Sequence, residues 1–215
     1  MNIGSMTPDT GLTRLALLIL LPLLLAALIR APWRQLLAKQ ERMNALGAAI
    51  VVLPLLWSMS PELPGGEKLH LLGMTAVTLL FSWQLAVIAG ALAAGVLLVV
   101  GSWTPAALPL NMLLVVVVPV LVSSAVLAAA NRLPRTNLFV YMLGVAFVGS
   151  MLAIGVSLWI GSRMLGTDLD HALVMLMTFP EGFINGAVIS ARAVFAPELL
   201  RTYDDERYLG KPRGS

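Results

Sequence analysis

The stretch FPEGFINGAV, residues 179–188, sets a carboxylate, Glu181, and an amide, Asn185, four positions apart in an otherwise apolar run. In a helix that spacing puts both on one face. Gly182 and Gly186 flank the face and admit a second helix closely, and Pro180 leaves a backbone carbonyl one turn earlier without its usual donor. Two roles suit an acid in such a place. It lines a cavity or couples cavity occupancy to helix movement, or, protonated or hydrogen-bonded, it joins helices. His70 opens a second apolar segment, just past Gly65-Gly66. A neutral imidazole there can bind a transition metal, or it can simply end a helix at the surface. Asn111, in LPLNMLLVVVVP, begins a third segment, where an amide can bond across helices, face a cavity or cap its own helix. His171 stands beside Asp168 and Asp170, a cluster of the kind that ends a helix in solvent.

Other chemistries lack their residues. Cysteine is absent, so there are no disulfides, thiolate metal sites or Cys nucleophile. The 11 methionines include Met59, Met74, Met164, Met175 and Met177 near the outer halves of the apolar segments. Thioethers suit Cu(I), but these positions share no tight spacing, and methionine is also an apolar filler. No Ser/His/Asp set, HExxH or paired aspartates point to an intramembrane enzyme, and no Gly-x-x-x-x-Gly-Lys-Ser/Thr loop points to ATP hydrolysis. Aromatic-basic interleaving is missing too, and the net charge of +3 is small, so nucleic acid is not an expected partner.

The elements that position these groups follow from composition. Apolar residues make up 59% of the 215 and charged residues only 12%. Soluble domains carry about 25% charged residues, so the chain reads as an integral membrane protein with lipid as its partner. Because lipid offers the backbone no hydrogen bonds, the expected fold is all-α: a polytopic helical bundle forming a single membrane domain over 1–215. Seven spans are expected, at about 12–29, 44–60, 69–83, 85–101, 111–130, 139–161 and 172–196. Ser82-Trp83-Gln84 alone separates the third and fourth, which demands a tight turn. Leu15–Ile29 is followed by Arg30 rather than a cleavage site, so it reads as a retained helix. Glu181 then lies about ten residues into the last span, roughly 15 Å deep and near the midplane.

Alternation of seven spans sorts the charges. Eleven of the 14 basic residues (Arg30, Arg34, Lys39, Arg42, Arg132, Arg135, Arg192, Arg201, Arg207, Lys211 and Arg213) fall on one side, and Arg14, Lys68 and Arg163 on the other. The positive-inside rule therefore predicts an outside N-terminus and a cytoplasmic C-terminus, with a multi-pass location in the cell (inner) membrane. The arginines of NRLPRTN are explained by this topology and also suit lipid headgroups or a cytoplasmic partner.

Three of these stretches, in this order, resemble the cobalt/nickel-uptake substrate-specific membrane components of energy-coupling factor ABC transporters. GGEKLHLLGMTAVTLLFSW is similar to that family's Gly/Ser loop and His-x-x-Gly at the third helix. LPLNMLLVVVVP is similar to its Asn-Met segment, and FPEGFINGAVISARAVFAPELL to its closing Glu-Gly/Ala helix, which here ends Ala196-Pro197-Glu198. The likeness runs from about residue 44 to 200. It implies a bundle of about seven spans with a Ni or Co site near the external face. It also implies a substrate-binding permease without its own ATPase, working with a transmembrane coupling subunit and cytoplasmic ATPases. The family's ligands are the N-terminal amine, a histidine at the second position and a later histidine, to which His70 corresponds. Glu181 and Asn111 match motif positions without a ligand role. Here position 2 is Asn2, and a start at Met6 would place Thr7 there, so the ligand set is incomplete. The metal is then bound differently, the substrate has changed, or the bundle serves as an accessory or assembly subunit of another membrane complex.

Overall fold

A computed structural model gives the fold and describes residues 9–60, 69–133, 137–166, 171–204 and 208. The expected external loop 61–68, Arg135, Asp168, Asp170, the His171 side chain, and most of the terminal segments with Asn2, Met6 and Thr7 lie outside the described residues. Among the described residues the architecture is helical, with no strand.

The helices are α1 (Thr10–Arg30), α2 (Trp33–Leu37), α3 (Gln40–Ser58), α4 (Met74–Phe81), α5 (Trp83–Val99), α6 (Leu108–Ala130), α7 (Val140–Leu165) and α8 (His171–Phe195), with a 3₁₀ turn at Pro197–Leu199. Among the described residues, α1, α6, α7 and α8 are by length and composition able to cross a membrane. The short α2 lies within the stretch expected to be a basic linker. Apolar side chains on the outer faces, such as Leu18 at 72% and Ile29 at 73% exposure, fit a surface solvated by lipid.

The largest departure from expectation lies in residues 69–83, read from sequence as one span. Residues 69–73 are not helical, and α4 has only eight residues. At 1.5 Å per residue that is about 12 Å, well short of the roughly 30 Å hydrocarbon core. Two left-handed backbone positions set its ends: Gly73 at φ 68° and Ser82 at φ 89°. Glycine meets the first without cost, whereas Ser82 adopts a conformation that disfavours side chains. Ser82 is the whole connection to α5, so the tight turn expected there is present. Seven of the eight α4 residues are buried, and α5, α6, α7 and α8 all pack around it. A helix apolar on every side belongs at the centre of a bundle.

Burying a short helix leaves its backbone ends to be satisfied inside the protein. At the C-terminal end the chain after α8 does this. Thr202 Oγ1 donates to the Leu79 carbonyl at 2.7 Å, and the Arg201 amide donates to the Leu80 carbonyl at 3.1 Å. Tyr141 Oη and Thr202 Oγ1 are 2.7 Å apart, which ties α7 to the same point.

A similar substitution occurs in α6. Its turn at Leu113–Val117 is π-helical, and the Val118 amide bonds the Leu113 carbonyl. The next amide in that pattern would be that of Pro119, which has no N–H. Ser157 Oγ of α7 donates instead to the Leu114 carbonyl at 2.8 Å.

Close packing of α5 on α6 depends on Gly90, where an added Cβ would lie 2.5 Å from Val116 Cγ1 and 2.8 Å from its Cγ2. Val116 is β-branched, fully buried and has nowhere to turn. Gly90→Ala should therefore cost about 1–3 kcal/mol. Gly95→Ala, in the same helix with open space around it, should be neutral or stabilising. Thermal unfolding in detergent checks the pair.

Candidate functional site

Glu181 sits one residue after Pro180 in α8 and is 1% exposed. Its Oε2 accepts the Leu72 amide at 2.7 Å, and its Oε1 accepts the Gly73 amide at 2.9 Å. Asn185 Nδ2 donates to the same Oε1 at 2.8 Å and to the Glu181 backbone carbonyl at 2.8 Å. The Asn185 Oδ1 accepts the Ala76 amide at 2.8 Å. The pair at one-turn spacing is thus a two-residue cap, supplied by another helix, for the amide end of α4. All three contacts to the carboxylate are donations into it, and the acid lies at the positive end of the α4 dipole.

The adjoining face of α8 explains the two glycines. A Cβ at Gly182 would meet Met151 Cγ at 2.7 Å and the Phe147 carbonyl oxygen at 3.3 Å, and one at Gly186 would meet Phe147 Cβ at 3.2 Å. Their lack of side chains lets α7 press against α8, which fixes the depth and rotation of Glu181.

His70 stands two residues before the first capped amide and is 3% exposed. Its Nδ1 is 3.0 Å from the Leu71 carbonyl oxygen. A carbonyl only accepts, so Nδ1 carries the proton and Nε2 presents its lone pair. That Nε2 is buried and has no hydrogen-bond partner among the described residues. An imidazole held through Nδ1–H to a carbonyl with Nε2 bare is the usual state of a metal-ligating histidine. Trp57 flanks it with ring centroids 6.2 Å apart, and Trp57 stacks on Trp103 at 5.7 Å with 4° between planes. The Trp57 Nε1 donates to the Leu72 carbonyl at 3.0 Å. Residues 70–73 are therefore held from two sides, by Trp57 of α3 and by Glu181 of α8.

Asn111 is fully buried in α6, but Ala107 occupies the N-cap position, so Asn111 is an interior helical residue and not the cap. It is not among the donors that reach Glu181. The methionines divide between surface and core: Met59 and Met175 are 80% and 76% exposed, whereas Met74 is fully buried in the core against which Met164 and Met177 pack. Sequence reasoning missed Trp57, Trp103 and the role of Gly73. Trp57 lies near the end of the apolar run before residues 61–68 and Trp103 near the start of 102–110, two loops expected on one membrane face, and that placement was the available signal. Among the described residues no three His, Cys, Asp or Glu side chains lie together as a metal cage, so within them His70 supplies a single ligand.

Replacing Glu181 by Ala leaves the Leu72 and Gly73 amides buried without an acceptor, and should cost about 2–5 kcal/mol of stability. Glu181→Gln keeps one acceptor oxygen and should cost less. Gly73→Ala forces φ 68° on a side chain whose Cβ would meet Leu56 Cδ2 at 3.3 Å, and should cost about 1–2 kcal/mol. Unfolding midpoints of the three variants in one detergent check the order.

The sequence pattern of the family described as cobalt uptake substrate-specific transmembrane region matches residues 6–199. No curated protein matches the chain. A solved structure of a truncated transition-metal transporter superposes with a TM-score of 0.74, covering 90% of this chain and 98% of the other at 15% sequence identity. At that identity the likeness is one of fold.

Proposed function

The chain belongs to the cobalt uptake substrate-specific transmembrane family, and from that premise we propose that it is a multi-pass membrane component that binds a transition-metal ion for uptake, with His70 as a ligand. The observation that carries the reading is the buried His70 Nε2, without a hydrogen-bond partner among the described residues, on a ring held in the ligating tautomer and flanked by Trp57 of the Trp57–Trp103 stack. Cobalt or nickel is the substrate in this reading, and imidazole nitrogen suits both. The ion is cargo, and His70 supplies one vertex of its coordination.

Glu181 acts in this reading as a positioning residue. Its oxygens are taken by the Leu72 and Gly73 amides and by Asn185, so it reaches the metal through the backbone of 70–73. Movement of that segment on loading would be felt at once by α8 and by the centre of α4. This gives the coupling role of Glu181 a physical path. Seven crossings are proposed, with residues 69–81 as an irregular third crossing, an outside N-terminus and a cytoplasmic C-terminus. The eleven-to-three distribution of basic residues supports that orientation. Transport would need a transmembrane coupling subunit and cytoplasmic ATPases, since the sequence carries no phosphate-binding loop for ATP hydrolysis.

Calorimetry of the purified protein against Ni, Co, Cu and Zn, alongside elemental analysis, tests the reading. Saturable binding of one of them, weakened about a hundredfold or more in His70→Ala, is the expected outcome. Glu181→Gln should weaken binding by a smaller factor while His70 remains in place. Absence of binding by every metal would favour the accessory-subunit reading instead.

A further inference from the structure

At the end of the bundle that carries Arg30, Arg34 and Arg132, α2, the start of α3 and the chain after α8 line an open polar cleft of about 690 Å³. Lys39, Arg42 and Arg201 line it together with Gln35, Glu198 and Tyr203, so cations outnumber carboxylates there by three to one. Neither arginine meets an acid among the described residues. Arg42 Nη2 donates at 2.9 Å to the backbone carbonyl of Glu198, and its Nε is buried with no acceptor among the described residues. Arg201 Nη1 donates to the side-chain oxygen of Gln35. Desolvation and then the neighbouring Arg42 charge hold the Arg201 guanidinium below its ordinary range. Lys39 is also the N-cap residue of α3 and makes no side-chain cap bond, so the positive end of a 19-residue helix adds to the same field.

Two guanidiniums held together, neither ion-paired to a carboxylate among the described residues, repel each other, and an anion between them removes that cost. From this geometry we infer that the cleft binds a phosphate group. Arginine forks pair with phosphate oxygens two at a time, and three cations, two at the start of α3 and one after α8, match a tetrahedral anion better than a two-oxygen carboxylate. The volume exceeds that of a bare phosphate and leaves room for a small esterified headgroup. The same chemistry is offered by an anionic phospholipid and by free phosphate.

The test uses the full chain in neutral detergent, stripped of lipid and titrated with dioctanoyl phosphatidylglycerol, dioctanoylglycerol and inorganic phosphate, with binding read by native mass spectrometry and calorimetry. Saturable binding of the phosphate-bearing probes is expected, weakened about tenfold or more in Arg42→Gln and in Arg201→Gln. It should also fall with added salt in the unaltered chain. Binding of phosphatidylglycerol alone assigns the site to a lipid headgroup, and equal binding of inorganic phosphate assigns it to the free anion. Both outcomes support the inference. The double variant Arg42→Lys, Arg201→Lys keeps the charge and guards against a folding defect; it should bind with intermediate affinity. Saturation by neither phosphate probe, even if an acidic protein partner is captured through these arginines, would overturn the inference. So would equal affinity in the double Gln variant with an unchanged unfolding midpoint.

Discussion

A membrane offers no water to an interrupted helix, and this chain places such an interruption at its centre. Once α4 starts at Met74 behind the left-handed Gly73, the amides at its entry must find acceptors within the protein. Glu181 and Asn185 provide them at 2.7–2.9 Å. Much of the surrounding packing serves that contact. Gly182 and Gly186 let α7 press on α8, Pro180 precedes the acid, and Thr202 with Arg201 satisfies the other end of α4. The acid kept in an apolar segment stands where water would otherwise have to stand.

The same contact gives the candidate ligand its setting. His70 lies on the non-helical residues that Glu181 and Trp57 grip from opposite sides. A regular helix through 69–83 would satisfy its own amides and would need neither grip. The irregular stretch instead exposes backbone polar groups to specific partners and leaves one imidazole nitrogen without a hydrogen-bond partner among the described residues, on a ring flanked by Trp57. In the proposed reading, binding chemistry and fold stability share one set of hydrogen bonds, and a change at the histidine would be transmitted to the bundle centre through them.

The helical membrane architecture was legible because hydropathy, loop length and the distribution of arginines each report on it independently. Glu181 and Asn185 stood out for the same reason, as polar residues four apart where lipid allows few. Their partners did not. The acceptors serve backbone amides more than a hundred residues away, and an amide carries no side-chain signature in sequence. The shortness of α4 was also hidden, since LHLLGMTAVTLLF is mostly apolar and hydropathy cannot tell a full span from an extended entry plus two helical turns. For Asn111 the sequence left a cap level with a bond across helices or into a cavity, and the structure removes the cap: the helix begins three residues earlier at Leu108, where Thr104 and Ala107 already accommodate the first turn.

Hydrogen–deuterium exchange of the amides in residues 69–81 tests the central claim most directly, comparing the unaltered protein with Glu181→Gln and Asn185→Ala. If the two side chains cap α4, exchange should accelerate at Leu72 and Gly73 in the first variant and at Ala76 in the second, while α6 keeps its protection. Unchanged protection of all three amides in both variants would contradict the account.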